Sequence, residues 1–364
     1  MKQNQDFILA AVIMAGGKGT RFWPKSRKDL PKQLLSIGTK KPLIVETVER
    51  LEPLIPRERI FISTSEDLAK RIQKLLPGIS RSNYILEPVG RDTAPCVGLA
   101  TAVLSRKIGS GPKRKVMAVL PADHCIGQPA RFRKTLLKAA NIAARHEVFV
   151  TIGIKPSGPS TAYGYIQPGE KLSGERGAFE LKRFREKPGG HLAKRLLKQG
   201  CLWNAGMFIF QPEVGLVAFD KYLPKMAAGL RRIEAAADTR TQKRLIQKLF
   251  PEFEKVSLDY GIMEKTDNMA VISGEFGWCD VGGWDALYRL LGGDGERNVS
   301  RGSFIQVDSR GVYSDASKLV AAVGVEDLVI VESEDAILVL RMDQESEVKT
   351  LINLLERRGL KKFL

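Results

Sequence analysis

A chain of 364 residues is long enough for one large domain with an ample core and a second, smaller one. Its 43% hydrophobic and 27% charged content is ordinary for a globular protein, and no apolar run approaches the roughly 18 residues of a membrane span. The net charge of +17 raises nucleic-acid or anionic-membrane binding, but the basic residues are dispersed (Lys113–Lys115, Arg131–Lys138, Arg231 and Arg232, Arg357–Lys362) and lack the aromatic interleaving of a single-strand binder. They read as solvated basic faces that steer anionic substrates, so neither a nucleic-acid nor a membrane partner is expected. The N-terminus, MKQNQDF, has no signal-peptide architecture, which predicts a cytoplasmic location. Cys96, Cys125, Cys201 and Cys279 form no C-x-x-C pair, and His124, His146 and His191 are the only histidines. A zinc cage, a disulfide framework and a His-based triad are therefore poorly supported, and catalysis should rest on carboxylates, Lys and Arg.

Ala10 to Ala15 is an apolar run without polar alternation, which predicts a buried parallel strand. It ends in Gly16, Gly17 and Gly19, then Thr20 and Arg21. Three glycines let the backbone turn sharply and aim several N–H groups at one anion. Arg21 adds a planar fork suited to phosphate oxygens, and Lys32 a compact point charge. The stretch lacks the spacing of a Walker loop, and Phe22 falls where the last glycine of G-x-G-x-x-G belongs. It reads as a loop built for a polyphosphate, of another kind than either.

Downstream, a helix is predicted over Leu43–Leu54, a strand over Arg59–Ser63, a helix over Glu66–Leu76 and a strand over Tyr84–Leu86. Alternating strands and helices imply right-handed crossovers and a mainly parallel sheet. The loop Glu87-Pro88-Val89-Gly90-Arg91-Asp92-Thr93 offers carboxylates, Glu87 and Asp92, that could accept from both donors on the Watson–Crick edge of guanine. The same residues also read as a turn with Asp92 capping the helix Thr93–Lys107. The strand Val116–Leu120 ends in Pro121-Ala122-Asp123-His124, which puts an acidic side chain where open α/β sheets bind ligands and where Mg²⁺ finds a carboxylate. A helix over Arg131–His146 and a strand over Val148–Gly153 follow; Gln211–Phe250 is helical and basic, a lid or a layer on the sheet. From about Asn298, short strands (Ser303–Val307, Leu319–Val323, Leu328–Glu332, Ala336–Leu340) come without crossover helices, closed by a helix over Gln344–Arg358.

The series G-G-x-G-T-R-F-W-P with Pro31-Lys32-Gln33, Glu87–Pro95, P-A-D-H, Tyr163-Gly164-Tyr165-Ile166, Glu186-Lys187-Pro188, Trp203-Asn204-Ala205-Gly206-Met207-Phe208, Leu258–Lys265 and Trp278–Asp285 resembles the motifs of mannose-1-phosphate guanylyltransferases, in that family's order over nearly the whole chain. The resemblance implies a Rossmann-like, mainly parallel mixed sheet with helices on both faces at 1–292, and a small β-helix-like domain at 293–364. It implies Ala15, Gly16, Gly17, Gly19, Thr20, Glu87, Pro88, Gly90, Asp92 and Thr93 around the nucleotide, and Arg21, Lys32 and Lys187 as catalytic cations. Gly164, Glu186, Lys187 and Asn204 would bind the sugar phosphate, and Asp123 and Asp280 would hold Mg²⁺ or another divalent cation. The Leu258–Lys265 block would be a structural turn whose Asp259 and Tyr260 orient the site.

The reaction implied is transfer of GMP from GTP to α-D-mannose 1-phosphate, with a homodimer left open. This chain has Asp92 where the family usually carries Asn, and Cys279 and Gly283 where Ser is more frequent. No isomerase-type domain follows the last helix, so isomerase activity is not expected. A guanylyltransferase for another sugar 1-phosphate and a non-catalytic nucleotide-sugar sensor are the alternatives.

Overall fold

The structure is a computed structural model that describes residues 6–17, 19–108, 113–236, 238–292 and 294–364. The first five residues, where the reading for a leader begins, Lys18 of the glycine motif and position 293 of the domain boundary lie outside them. Contacts divide the chain into two compact units, each discontinuous in sequence. Unit 1 holds the described residues of Met1–Gly16, Val48–Pro121 and Ile126–Trp278; unit 2 holds those of Gly17–Thr47, Ala122–Cys125 and Cys279–Leu364.

Unit 1 is built on a nine-stranded sheet. Its strands are β1 (Phe7–Met14), β2 (Ile60–Thr64), β3 (Tyr84–Leu86), β4 (Arg114–Pro121), β5 (Phe149–Ile154), β6 (Tyr165–Lys171), β7 (Ala178–Arg185), β8 (Leu202–Phe210) and β9 (Met269–Gly274). The order is β3-β2-β1-β4-β8-β5-β9-β7-β6. On the β3-to-β4 side every pairing is parallel, and Ala10 to Ile13 of β1 are fully buried, as an uninterrupted apolar run requires. The other side is mixed: β8 runs antiparallel to β4, β5 and β6, while β9 runs parallel to β5 and antiparallel to β7. The parallel pairings are thus concentrated on, though not confined to, the β3-to-β4 side. The turn between β6 and β7 joins an antiparallel pair.

The helices are α1 (Leu43–Leu51), α2 (Glu66–Leu75), α3 (Thr93–Lys107), α4 (Pro129–His146), α5 (Gly190–Lys198), α6 (Pro212–Tyr222), α7 (Pro224–Glu234) and α8 (Thr239–Leu249). Residues 94 to 105 of α3 are all buried, which a helix lying on a sheet can achieve only if something covers its outer face. The cover is the stretch read as lid or layer. Pro224, which can open a helix but not continue one, starts α7, and the Asp238 carboxylate starts α8 by accepting the Arg240 and Thr241 N–H groups. Helices α6 and α7 pack on α3 rather than across the sheet. Gly98 permits the close approach: a Cβ there would lie 2.7 Å from Leu230 and 3.0 Å from Phe219.

Unit 2 carries β10 (Val299–Ser300), β11 (Phe304–Val307), β12 (Tyr313–Asp315), β13 (Val320–Val323), β14 (Leu328–Glu332) and β15 (Ile337–Arg341). They form two ribbons, β10-β12-β14-β15 and β11-β13. Parallel partners such as Val299 with Tyr313 and Phe304 with Val320 are one short coil apart, with no helix between them. That is a β-helical winding. Helices α9 (Trp284–Leu291) and α10 (Val348–Arg357) complete the unit.

The segment after β1 is packed into this unit. Trp284, 1% exposed, stacks edge-on against Phe22 at 4.8 Å, faces Tyr313 at 5.7 Å, and donates its indole N–H to the Trp23 carbonyl at 3.3 Å. Lys25 pairs with Asp315 at 3.1 Å and Arg27 with Asp335 at 2.6 Å. Truncating Trp284 to Ala should cost about 3–5 kcal/mol through the cavity it leaves. Guanidinium titration followed by near-ultraviolet dichroism reads this loss directly, and an unchanged midpoint would refute the packing role.

Candidate active site

The candidate residues gather in two groups, each inside one unit. In unit 2, Gly19, Thr20, Arg21, Phe22, Lys32, Asp123, His124, Asp280 and Gly282 line one cavity of about 300 Å³. The local backbone explains the convergence. Gly19 is left-handed at φ +57°, and a Cβ there would lie 2.6 Å from the Lys32 backbone nitrogen, so only glycine lets the two loop segments touch. Lys32, 5% exposed, donates through Nζ to the Asp123 carboxylate at 2.9 Å and to the Asp280 backbone carbonyl at 2.6 Å. A buried ammonium is tolerable because strong acceptors satisfy it. Arg21 is exposed and donates to the Gly282 carbonyl at 3.2 Å. A Cβ on Gly282 would meet the Asp280 carboxylate at 3.1 Å and the Arg21 guanidinium at 3.5 Å, so that glycine leaves room for both groups over its Cα.

Burial alone would push the Asp123 carboxyl up, but the charges of Lys32 and His124 and the Lys32 hydrogen bond hold it below the usual carboxylate range. Asp123 is thus an anion at neutral pH, its side chain 36% exposed to the cavity. Asp123 and Asp280 are hard oxygen donors of the kind Mg²⁺ takes with substrate phosphates completing its shell. Among the described residues there is no cluster of three or more His, Cys, Asp or Glu that would hold a metal alone. The donor set fits a cation shared with a bound polyphosphate.

In unit 1, Glu87 is buried beside Gly16, with Oε1 3.9 Å from where a Gly16 Cβ would stand. Burial pushes its carboxyl up, and hydrogen bonds from the Cys96 thiol and the Ser63 hydroxyl, the latter at 2.9 Å, oppose the shift. Asp92, at φ +73°, accepts the Thr93 N–H at 2.8 Å and caps α3, while the Thr93 hydroxyl accepts the Leu258 N–H at 2.8 Å. Pro88 and Gly90 lie in the same loop between β3 and α3, and Ala15 bridges to β2 through the Ser63 carbonyl at 2.8 Å.

The second part of this group is set around Gly164. A Cβ there would fall 2.5 Å from Glu186 Oε2 and 3.3 Å from Asn204 Cβ, so the glycine admits both side chains. The Asn204 amide oxygen accepts from the Thr151 hydroxyl at 3.0 Å and the Gly206 N–H at 3.1 Å, and its amide nitrogen donates to Asp259 at 3.2 Å. Among the described residues no further hydrogen bond occupies the other N–H of that amide. Glu186 pairs with Lys187 Nζ at 3.2 Å, and its own N–H is held by Glu264 at 2.8 Å. Lys187 sits at φ +40° with its side chain 58% exposed.

Asp259 opens a single wide turn closed by the Glu264 N–H on the Asp259 carbonyl at 2.9 Å. Burial, with the Glu186 carboxylate next, pushes its carboxyl up to about 7. Ser63 and Thr151 had no motif to announce them, and Glu264 was read only as part of a structural turn; each hydrogen-bonds a motif residue, and only folding makes that visible.

A strand-end glycine loop, cations and acidic oxygens around one cavity, in a unit joined by chain to a mixed α/β sheet, define a protein that handles phosphorylated ligands. More narrowly, the chain belongs to the nucleotidyl transferase family, whose model matches residues 10–294. The MannoseP isomerase/GMP-like beta-helix domain model matches 302–355. A mannose-1-phosphate guanylyltransferase from Escherichia coli is 37% identical over 357 residues, 96% of this chain and 74% of that protein. The xanthan biosynthesis protein XanB of Xanthomonas campestris pv. campestris (strain B100) is 36% identical over 353 residues, 96% of this chain and 73% of that protein. The crystal structure of mannose-1-phosphate geranyltransferase from Thermus thermophilus superposes with a TM-score of 0.86 at 33% identity, over 96% of this chain and 100% of that one. Among the described residues no helix is long and apolar enough to cross a membrane.

Two outcomes follow from the geometry. Gly19→Ala should displace Lys32 and lower turnover by about 10²-fold, on the scale of removing one preorganised electrostatic contact; wild-type kinetics in that variant would show that the loop tolerates a Cβ. For Asp259, a carboxyl raised from about 4 in the unfolded chain to about 7 when folded stabilises the fold fully at low pH, and that stability is lost as pH rises from about 4 to 7. Urea midpoints between pH 5 and 8 should therefore fall more steeply in the wild type than in Asp259→Asn. Superimposable pH profiles would reject the assignment.

Proposed function

We propose that the chain transfers GMP from GTP to α-D-mannose 1-phosphate, releasing pyrophosphate and forming GDP-mannose, in the cytoplasm. The observation that carries this reading is the single cavity where Arg21 and Lys32 meet the Asp123 and Asp280 carboxylates. Relatives named for that activity support it along nearly the whole chain. In this reading residues 1–292 are the catalytic domain and 293–364 a small β-helical one.

The chemistry follows from charge. A phosphate monoester is largely dianionic at neutral pH, since its second pKa is about 6, so the sugar phosphate needs no general base. The barrier is bringing one polyanion against another. Gly16, Gly17, Gly19 and Thr20 offer backbone N–H groups to the triphosphate, and Arg21 and Lys32 neutralise it. Glu87, Pro88, Gly90, Asp92 and Thr93 form the base-binding loop. Lys187 neutralises the sugar phosphate, while Gly164, Glu186 and the remaining N–H of Asn204 face the sugar. A divalent cation held by Asp123 and Asp280 would add charge neutralisation at the phosphates. An oxygen of the sugar phosphate bonds to the α-phosphorus in line as the α–β anhydride bond breaks, and pyrophosphate leaves with that electron pair. Catalysis is positioning plus electrostatic stabilisation.

The test is steady-state pyrophosphate release with both substrates varied. Lys187→Ala should raise KM for mannose 1-phosphate by about tenfold or more and leave KM for GTP nearly unchanged, as loss of one charge-assisted contact predicts. Asp280→Asn should lower kcat by about 10²–10³-fold with the fold intact. A Lys187 variant impaired only toward GTP, or a fully active Asp280 variant, would overturn these roles.

A further inference from the structure

Helix α9 follows the Asp280–Gly283 loop directly, so whatever fixes its first turn also fixes that loop. Its N-cap position is Gly283, which has no side chain to accept the open N–H groups that Ser, Thr, Asp or Asn usually accept there. Backbone geometry does not demand glycine, because φ of 178° is extended and open to any residue. Space does. A Cβ on Gly283 would collide with the carboxylate of Glu345, far along the chain in the short helical turn Met342–Glu347. That carboxylate accepts the Asp285 N–H at 2.9 Å, the bond an N-cap side chain would make. Glu345 also interacts with the charges of Arg21 and Asp280. Gly283, Glu345, Arg21 and Asp280 all belong to unit 2.

We infer that Glu345 is a positioning residue for the phosphate cavity: its carboxylate replaces the missing N-cap of α9 and so holds the Asp280–Gly283 loop, with Asp280 and the Gly282 carbonyl that Arg21 grips, in register. The β-helical segment thereby takes part in catalysis without touching a substrate. This inference rests on the nucleotidyl-transfer reading of the cavity.

The test is a four-member cycle: wild type, Glu345→Ala, Gly283→Ser and the double variant, with Glu345→Gln as the conservative control. Each is read by melting temperature without ligands and by pyrophosphate release from GTP and mannose 1-phosphate across a Mg²⁺ series. Glu345→Ala loses the cap, so its melting temperature should fall by about 2 °C or more, its kcat by about tenfold, and its Mg²⁺ requirement should rise. Gly283→Ser alone should also be impaired, because the added side chain collides with Glu345. In the double variant the introduced serine has room to cap α9, and both readouts should return to within about threefold in kcat and about 1 °C of wild type. Glu345→Gln keeps an acceptor and should stay near wild type.

A double variant no better than Glu345→Ala in either readout overturns the inference. Recovery of melting temperature without recovery of turnover overturns it as well, leaving Glu345 a cap and nothing more. A wild type inactive with every substrate pair would instead sink the functional reading, and the melting temperatures would still decide whether Glu345 caps α9.

Discussion

The ammonium of Lys32 binds three chain segments into one site. From the loop after β1 it reaches the Asp123 carboxylate at 2.9 Å and the Asp280 backbone carbonyl at 2.6 Å. Those acceptors come from residues 91 and 248 positions further along the chain. Burying a cation is costly unless partners replace its water, and here they do. The same contact lowers the Asp123 carboxyl, keeping it an anion. The site therefore starts out balanced: the cation proposed to hold a polyanion is held by the Asp123 carboxylate and the Asp280 backbone carbonyl. In the proposed reaction, bound substrate would exchange those partners rather than meet bare charges, which would limit the desolvation needed on binding.

Absent side chains matter as much as present ones. Gly19, Gly164, Gly282 and Gly283 each leave a space that another residue's functional group fills: Lys32, Glu186 with Asn204, Asp280 with Arg21, and Glu345 respectively. Only Gly19 among these four has a left-handed φ. The other three are glycines of volume rather than of backbone conformation, a distinction that sequence cannot make because both kinds look alike.

What could be read from sequence was what depends on local pattern. The apolar run of β1, the glycine turn after it, the acidic end of β4 and the short helix-free strands near the C-terminus all follow from periodicity and residue type. What escaped depends on tertiary contact. The antiparallel placement of β8 between β4 and β5 has no signature in its nine residues. The covering of α3 by α6 and α7 decides why α3 is buried all round, yet the reading of Gln211–Phe250 as helical placed neither that packing nor the breaks at Pro224 and Asp238. Asn204 read as a side chain equipped for sugar hydroxyls; that Thr151, Gly206 and Asp259 occupy most of its hydrogen-bonding capacity was not legible. Lys25, beside the phosphate loop in sequence, turns out to pair with Asp315 of β12.

The claim on which everything rests is that this cavity serves guanylyl transfer to a sugar phosphate. The most direct test is pyrophosphate release in the presence of Mg²⁺, with GTP, ATP, UTP and dTTP each crossed against mannose, glucose and other sugar 1-phosphates. The account predicts turnover with GTP and mannose 1-phosphate well above every other pair. Preference for a different sugar with GTP would contradict the reading of Glu186 and Asn204. Nucleotide binding without turnover for any pair would contradict the enzyme itself.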